Sequence, residues 1–210
     1  MSNAGADAAP WPGEAATPPA APVPAEAHRR PGIQAMWVGV SLEYIEFAVF
    51  FAVYFVARWH NPEAFQQGAT RLWTLGGLCV TAVMVTGGYL LTRAIASTRD
   101  GDLVWGQRWL ALALLTGLIY PLLKVLEWRW NLAHGIDASA GVFVVVYYYL
   151  TINHFIHASW GLMGMAWGLV RFRYGGYTAD DHRGLEAIAT YWHATDMVWL
   201  MVFALFYAFA

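Results

Sequence analysis

The sequence predicts an all-α membrane protein, a bundle of five transmembrane helices, and three observations lead there. After residue 32 almost the whole chain consists of apolar stretches of membrane-crossing length, and a helix needs about 20 apolar residues to cover a hydrocarbon core of roughly 30 Å. Hydrophobic residues make up 59% of the chain and charged ones 12%, with a mean hydropathy of +0.42, which leaves too little polar surface for a soluble globule. The few ionisable side chains inside the stretches recur three or four positions apart, the spacing of neighbours on one helix face.

Residues 1–32 are rich in Ala, Pro and Gly, contain no signal-type apolar core and show no helical or strand period, so they are expected to form a disordered tail. Residues 33–210 form the membrane domain, with spans expected at about 35–58, 72–95, 108–130, 141–171 and 187–210. Met36 and Trp37 suit an interfacial start to the first span. Positive residues set the orientation. Arg29, Arg30, Arg93, Arg99, Arg108, Arg171, Arg173 and Arg183 fall on one side; Arg58, Arg71, Arg129 and Lys124 fall on or near the other. The side richer in arginine is cytoplasmic, which places the N-terminus inside and the C-terminus outside.

The net charge of −2 and the scattered arginines offer no nucleic-acid patch. A single cysteine, Cys79 in the second span, excludes disulfides within the chain, thiolate metal clusters and covalently attached haem. Any metal would need His and carboxylate ligands.

Ionisable side chains at membrane depth are expensive unless they face a partner or a cavity. Glu43 and Glu46 share a face of the first span, where two bare carboxylates would repel, so at least one is expected to be neutral. Their readings are a proton relay, a headgroup or subunit contact, or a neutral acid bonded to a neighbouring helix. Lys124 and Glu127 in the third span suit an internal ion pair near the outer surface, one turn after a bend at Pro121, with Trp128 and Trp130 in the aromatic belt. In the fourth span His154, His157, Gly161, Gly164 and Gly168 lie on one stripe, the glycines admitting a close helix and the histidines pointing inward. His-x-x-His could ligate a metal or haem, but such pairs commonly need carboxylates from other helices to complete a site, so buried hydrogen bonding is the default. In the fifth span Glu186, His193, Asp196, Phe203 and Tyr207 share an arc, and His193 and Asp196 are spaced to pair directly. By depth, Glu43, Glu46, His157, His193 and Asp196 are expected to form one connected cluster.

Several of these segments resemble a known family. Glu43-Tyr-Ile-Glu46-Phe47 and the aromatic run through Phe55 resemble the Glu-bearing helix of cytochrome c oxidase subunit III. Leu150-Thr151 followed by His154-x-x-His157 and Gly161 resembles that family's Thr-Gly-x-His-x-x-His helix. Tyr191-Trp192-His193-Ala-Thr-Asp196-Met-Val-Trp199 resembles its Trp-His-x-x-Asp-x-x-Trp end, and Glu127-Trp128 matches its Glu-aromatic pair. The four motifs stand in order over residues 35–210. Glu46 replaces a usual aromatic residue and Ile152 a usual Gly, departures that lean toward the branch containing nitric oxide reductase accessory proteins.

The resemblance implies a short bacterial form equivalent to the last five helices of a seven-helix subunit, in the bacterial inner membrane. It implies an accessory, non-redox component of a haem-copper oxidase in aerobic respiration that binds phospholipid and supports assembly and proton uptake. Haem and copper would belong to catalytic subunit I, with subunit II as a further partner. This chain would bind no metal, hold no catalytic residue, and use Trp192 and Trp199 with the glycines in packing. The alternatives are an accessory protein of a nitric oxide reductase, a stand-alone membrane metalloenzyme with His154, His157, His193, Glu43 and Asp196 as ligands, and a small carrier. The carrier ranks last, since the sequence shows no inverted repeat or broken helix pair.

Overall fold

The computed structural model describes residues 33–208, so the expected tail of residues 1–32, with Arg29 and Arg30, lies outside the described residues. Among the described residues seven α-helices follow one another: α1 Gln34–His60, α2 Pro62–Arg71, α3 Thr74–Arg99, α4 Leu103–Gly117, α5 Ile119–Ala133, α6 Val142–Arg173 and α7 Arg183–Phe203. A short 3-10 turn, Ala138–Ala140, precedes α6, and a π turn, Ala204–Ala208, continues α7. Among the described residues there is no strand.

Four runs are long and apolar enough to cross a membrane: α1, α3, the α4–α5 run Leu103–Ala133, and α6. The remaining expected span coincides with α7 and its π turn, where Glu186, His193 and Asp196 dilute the apolar content.

The third expected span is not one helix. Pro121 has no N–H to give the carbonyl of Gly117, and its ring crowds that carbonyl, so the run breaks at Leu118. The break starts α5 at Ile119 and sets its phase, which puts Tyr120, Lys124, Glu127 and Asn131 on one buried stripe. The short α2 was not foreseen. Pro62 opens it at a position where no N–H is needed, Glu63 and Arg71 sit at the ends that favour their charges, and Phe65 and Ala69 face the bundle.

α3 and α4 form a tight antiparallel hairpin. Gly101 turns the chain at φ +85°, a conformation that suits glycine, and the Asp102 carboxylate accepts from Trp105 N at 3.1 Å to cap α4. Gly106 lets the helices touch, since a Cβ there would lie 2.3 Å from Thr98 Oγ1. α7 packs against α1, α3 and α6 and fills the centre with Trp192 and Trp199, neither exposed. Buried polar tips on these rings find partners: Trp192 Nε1 donates to Met84 O at 3.3 Å and Trp199 Nε1 to Thr81 Oγ1 at 2.9 Å. Tyr54 of α1 donates to Leu205 O in the π turn at 2.8 Å, tying the two chain ends of the bundle together.

Gly106→Leu is expected to destabilise the protein by about 1–3 kcal/mol through overpacking of the hairpin. Gly39→Ala, where an added Cβ meets nothing within 4 Å, is expected to be neutral or to stabilise by up to about 1 kcal/mol. Unfolding in mixed micelles measures both.

Candidate functional site

The polar side chains inside the bundle fall into three groups. The deepest is built on the α5 stripe. Lys124 Nζ donates to Glu127 Oε2 at 3.0 Å, and neither side chain has any solvent exposure. Tyr147 of α6 donates to Glu127 Oε1 at 2.5 Å, and Tyr207, swung inward by the π turn, donates to the same oxygen. The ammonium also lies 4.7 Å from the Trp199 ring centroid, 5.4 Å from that of Tyr147 and 5.8 Å from that of Tyr207. Asn131 Nδ2 reaches Tyr147 OH at 3.4 Å. One carboxylate thus has a cation and two phenols from three helices, the satisfaction that a buried charge requires. The internal ion pair expected from the i, i+3 spacing is formed, with both side chains buried.

The second group lies where α1, α6 and α7 meet. His157 places Nε2 3.2 Å from Glu46 Oε2 and Nδ1 3.7 Å from Glu43 Oε2, an imidazole between two carboxyl groups. Glu43 is buried; the Glu46 side chain is 41% exposed at the bundle's rim. Thr195 donates to Glu43 Oε1 at 3.1 Å, and Tyr191 donates to His157 O at 3.2 Å. From Thr195 the network passes to buried His154, whose Nε2 lies 3.2 Å from Thr195 O. A carbonyl only accepts, so Nε2 carries the proton and Nδ1 accepts from Tyr120 OH at 3.0 Å. Hydrogen bonds therefore link Glu43 through Thr195 and His154 to Tyr120 in the core, and His157 lies between Glu43 and half-exposed Glu46 in ion-pair contact with both.

The third group corrects two expectations. His193 and Asp196 do not pair; both turn toward α3, where a Cβ on Gly88 would lie 2.8 Å from Asp196 Oδ2 and 2.9 Å from His193 Cε1. His193 Nε2 instead lies 3.4 Å from Thr92 Oγ1, and Asp196 Oδ1 has no hydrogen-bond partner among the described residues. The expected single cluster is therefore divided. Depth orders residues along the membrane normal, but His193 and Asp196 leave α7 on the side of α3, away from Glu43, Glu46 and His157. Glu186, expected on the same arc, pairs with Arg99 at 3.3 Å at the helix ends.

The α6 glycines receive α7. Gly161 faces the Trp192 ring, and Gly164 and Gly168 face Ile188. Tyr120, Asn131, Tyr147, Tyr191 and Thr195 were missed as site residues. A signal existed for two of them: Tyr120, Lys124, Glu127 and Asn131 follow spacings of 4, 3 and 4, a polar stripe on an apolar helix. Among the described residues no three His, Cys, Asp or Glu side chains converge in a way that could hold a metal ion.

The class is therefore an all-helical, multi-pass membrane protein whose interior charges are satisfied by side chains of neighbouring helices. The chain belongs to the cytochrome c oxidase subunit III family, whose model matches residues 26–210. It is 28% identical over 170 residues to a probable cytochrome c oxidase subunit 3 of Mycobacterium tuberculosis, covering 81% of this chain and 84% of that one. A cytochrome c oxidase subunit 3 of Synechocystis is 28% identical over 190 residues, 88% of this chain and 80% of its own. A heme-copper oxidase subunit I+III of Aeropyrum pernix is 27% identical over 182 residues, 82% of this chain and 22% of that longer one.

Lys124→Met or Glu127→Gln alone is expected to destabilise by about 3–5 kcal/mol, because each leaves a buried charge without its counter-charge. The double variant should recover most of that loss. A double-mutant cycle on unfolding in mixed micelles reads the coupling.

Proposed function

We propose that this chain is the non-redox subunit III of a haem-copper oxidase in aerobic respiratory electron transport, and that it crosses the bacterial inner membrane five times. The observation that carries this reading is the family match over residues 26–210. For the fifth crossing, α7 has 21 residues and its π turn five more, about 39 Å of helix against a core of roughly 30 Å. For an N-terminus inside and a C-terminus outside, Arg93, Arg99, Arg108, Arg171, Arg173 and Arg183 gather toward one end of the bundle, and Arg58, Arg71 and Arg129 toward the other.

The fused subunit I+III relative supports direct packing against a catalytic subunit I, which would hold the haem and copper; subunit II is a further partner. The oxidase names of the relatives favour an oxygen reductase over a nitric oxide reductase. This chain contributes no cofactor of its own. Exposed apolar side chains on α1, among them Leu42, Ile45, Val49 and Val53, suit phospholipid acyl chains. The Glu46–His157–Glu43 triad can hold and pass a proton, with carboxyl and imidazole groups within 3.2 and 3.7 Å, and this suits a supporting role in proton uptake.

Copurification in mild detergent tests the assignment. A tagged chain should bring down a haem-containing subunit with the absorption of haem iron; a chain that never associates with one contradicts it. Within that complex Glu43→Gln is expected to assemble like the wild type, since the amide still accepts from Thr195, whereas Glu43→Ala strands the Thr195 hydroxyl and should weaken assembly by about 1–3 kcal/mol. Yields of complex from pulse-labelled cells compare them, and equal yields for both variants contradict the packing of Glu43.

A further inference from the structure

The hairpin of α3 and α4 carries a feature that the subunit reading does not use. The Arg93 guanidinium lies 5.6 Å from the Trp109 ring centroid, the Trp109 and Trp105 rings are 6.0 Å apart, and the Arg108 guanidinium lies 5.0 Å from the Trp105 centroid. The four side chains form a ladder of cation, indole, indole and cation. Arg93, Trp105 and Arg108 are exposed and Trp109 is half-buried, so the ladder lies on the outer surface of the bundle. Neither arginine has a carboxylate within ion-pairing distance among the described residues. The nearby acids in sequence do not serve them: Asp102 caps α4, and Asp100 sits in the turn. By contrast, Arg99 on the same helix has Glu186 at 3.3 Å.

Depth makes the missing counter-charge significant. α3 has 26 residues, about 39 Å, so it overhangs a core of roughly 30 Å by about 4–5 Å at each end. Arg93 is six residues before the end of α3, and Arg108 and Trp109 are five and six residues into α4. Their backbones thus stand about 8–9 Å inside the helix ends, just within the hydrocarbon edge. From there a guanidinium snorkels outward, and the anion it meets at that level is the phosphate of a lipid headgroup. Indoles prefer the same layer and hold the cations by their faces, leaving the N–H edges of the guanidinium groups for phosphate oxygens.

We propose that Arg93 and Arg108, held by Trp109 and Trp105, form a binding site for the phosphate of an anionic phospholipid on the α3–α4 face. The proposal depends on the membrane placement of this hairpin and not on the identity of the catalytic partner. Charge and position recognise the ligand: two cations without internal partners at phosphate depth select an anionic lipid over a zwitterionic one, and the acyl chains run down the exposed apolar flank of Leu112 and Leu115.

Native mass spectrometry of the full chain, released from detergent with or without its haem-containing partner, tests this by titration with phosphatidylglycerol. One tight phosphatidylglycerol is expected on the wild type, weakened about fivefold by Arg93→Gln or Arg108→Gln and about thirtyfold by both. The Arg93→Lys/Arg108→Lys variant keeps both charges and should retain binding within about threefold; should the double glutamine variant fail to accumulate, the single variants and this one provide the comparison. Phosphatidylcholine should bind the site more weakly than phosphatidylglycerol, and inorganic phosphate should not displace the lipid. Unchanged phosphatidylglycerol affinity in the glutamine variants overturns the proposal, as does equal binding of phosphatidylcholine. Displacement by inorganic phosphate at matched concentration overturns the lipid assignment. Copurification of a haem subunit with a lipid-insensitive chain separates this failure from failure of the oxidase reading.

Discussion

Lys124 and Glu127 lie 3.0 Å apart with no solvent exposure, and side chains from three helices close around them. In a hydrocarbon solvent a charge cannot borrow water, so the helices that bear its partners must come together or the charge remains stranded. α5 presents the pair because Pro121 restarts the helix at a phase that buries it. α6 supplies Tyr147, and α7 supplies Trp199 and, through its π turn, Tyr207. The irregular end of α7 is thus explained by the group it serves: a π turn is favourable when it aims a side chain that regular helix would misdirect.

The same constraint orders the second polar layer but satisfies it differently. Around His157 the partners are two carboxyl groups that stand at decreasing exposure, Glu46 at the rim and Glu43 inside, and the network continues through Thr195 and His154 to Tyr120. Tyr120 is on the α5 stripe that carries the ion pair, one turn before Lys124. Tyr120 thus joins this layer to the helix face that carries the ion pair. The titratable groups of this layer, Glu43, Glu46, His154 and His157, each lie beside polar groups of neighbouring helices.

Much of the fold was legible because its signals are one-dimensional. Span positions follow from runs of apolar residues: three of the expected runs coincide with long helices and a fourth with the α4–α5 run, to within a few residues at most ends. The glycine stripe of α6 and the i, i+3 spacing of Lys124 and Glu127 are likewise local. What failed needed the third dimension. His193 and Asp196 have the spacing of a pair, yet both side chains turn into the hollow that Gly88 leaves on α3 without bonding each other, and His193 reaches Thr92 instead. Membership of one depth layer does not give the direction around the helix axis, so His193 and Asp196 could not be separated from Glu43 and His157 by sequence. The ten residues of α2 are too few for the length criterion that reveals a span, and its amphipathic pattern is shorter than three turns.

Lys124 is the only lysine in the sequence, which permits a direct observation of the interaction at the centre of the account. With 15Nζ-lysine and 13Cδ-glutamate incorporated, solid-state NMR of the protein in lipid bilayers measures the dipolar coupling between one nitrogen and its nearest glutamate carbon. An ion pair at 3.0 Å predicts strong dephasing of the lysine signal that disappears in the Glu127→Gln variant. A lysine signal without such dephasing in the wild-type protein, or dephasing that survives the loss of Glu127, would contradict the account.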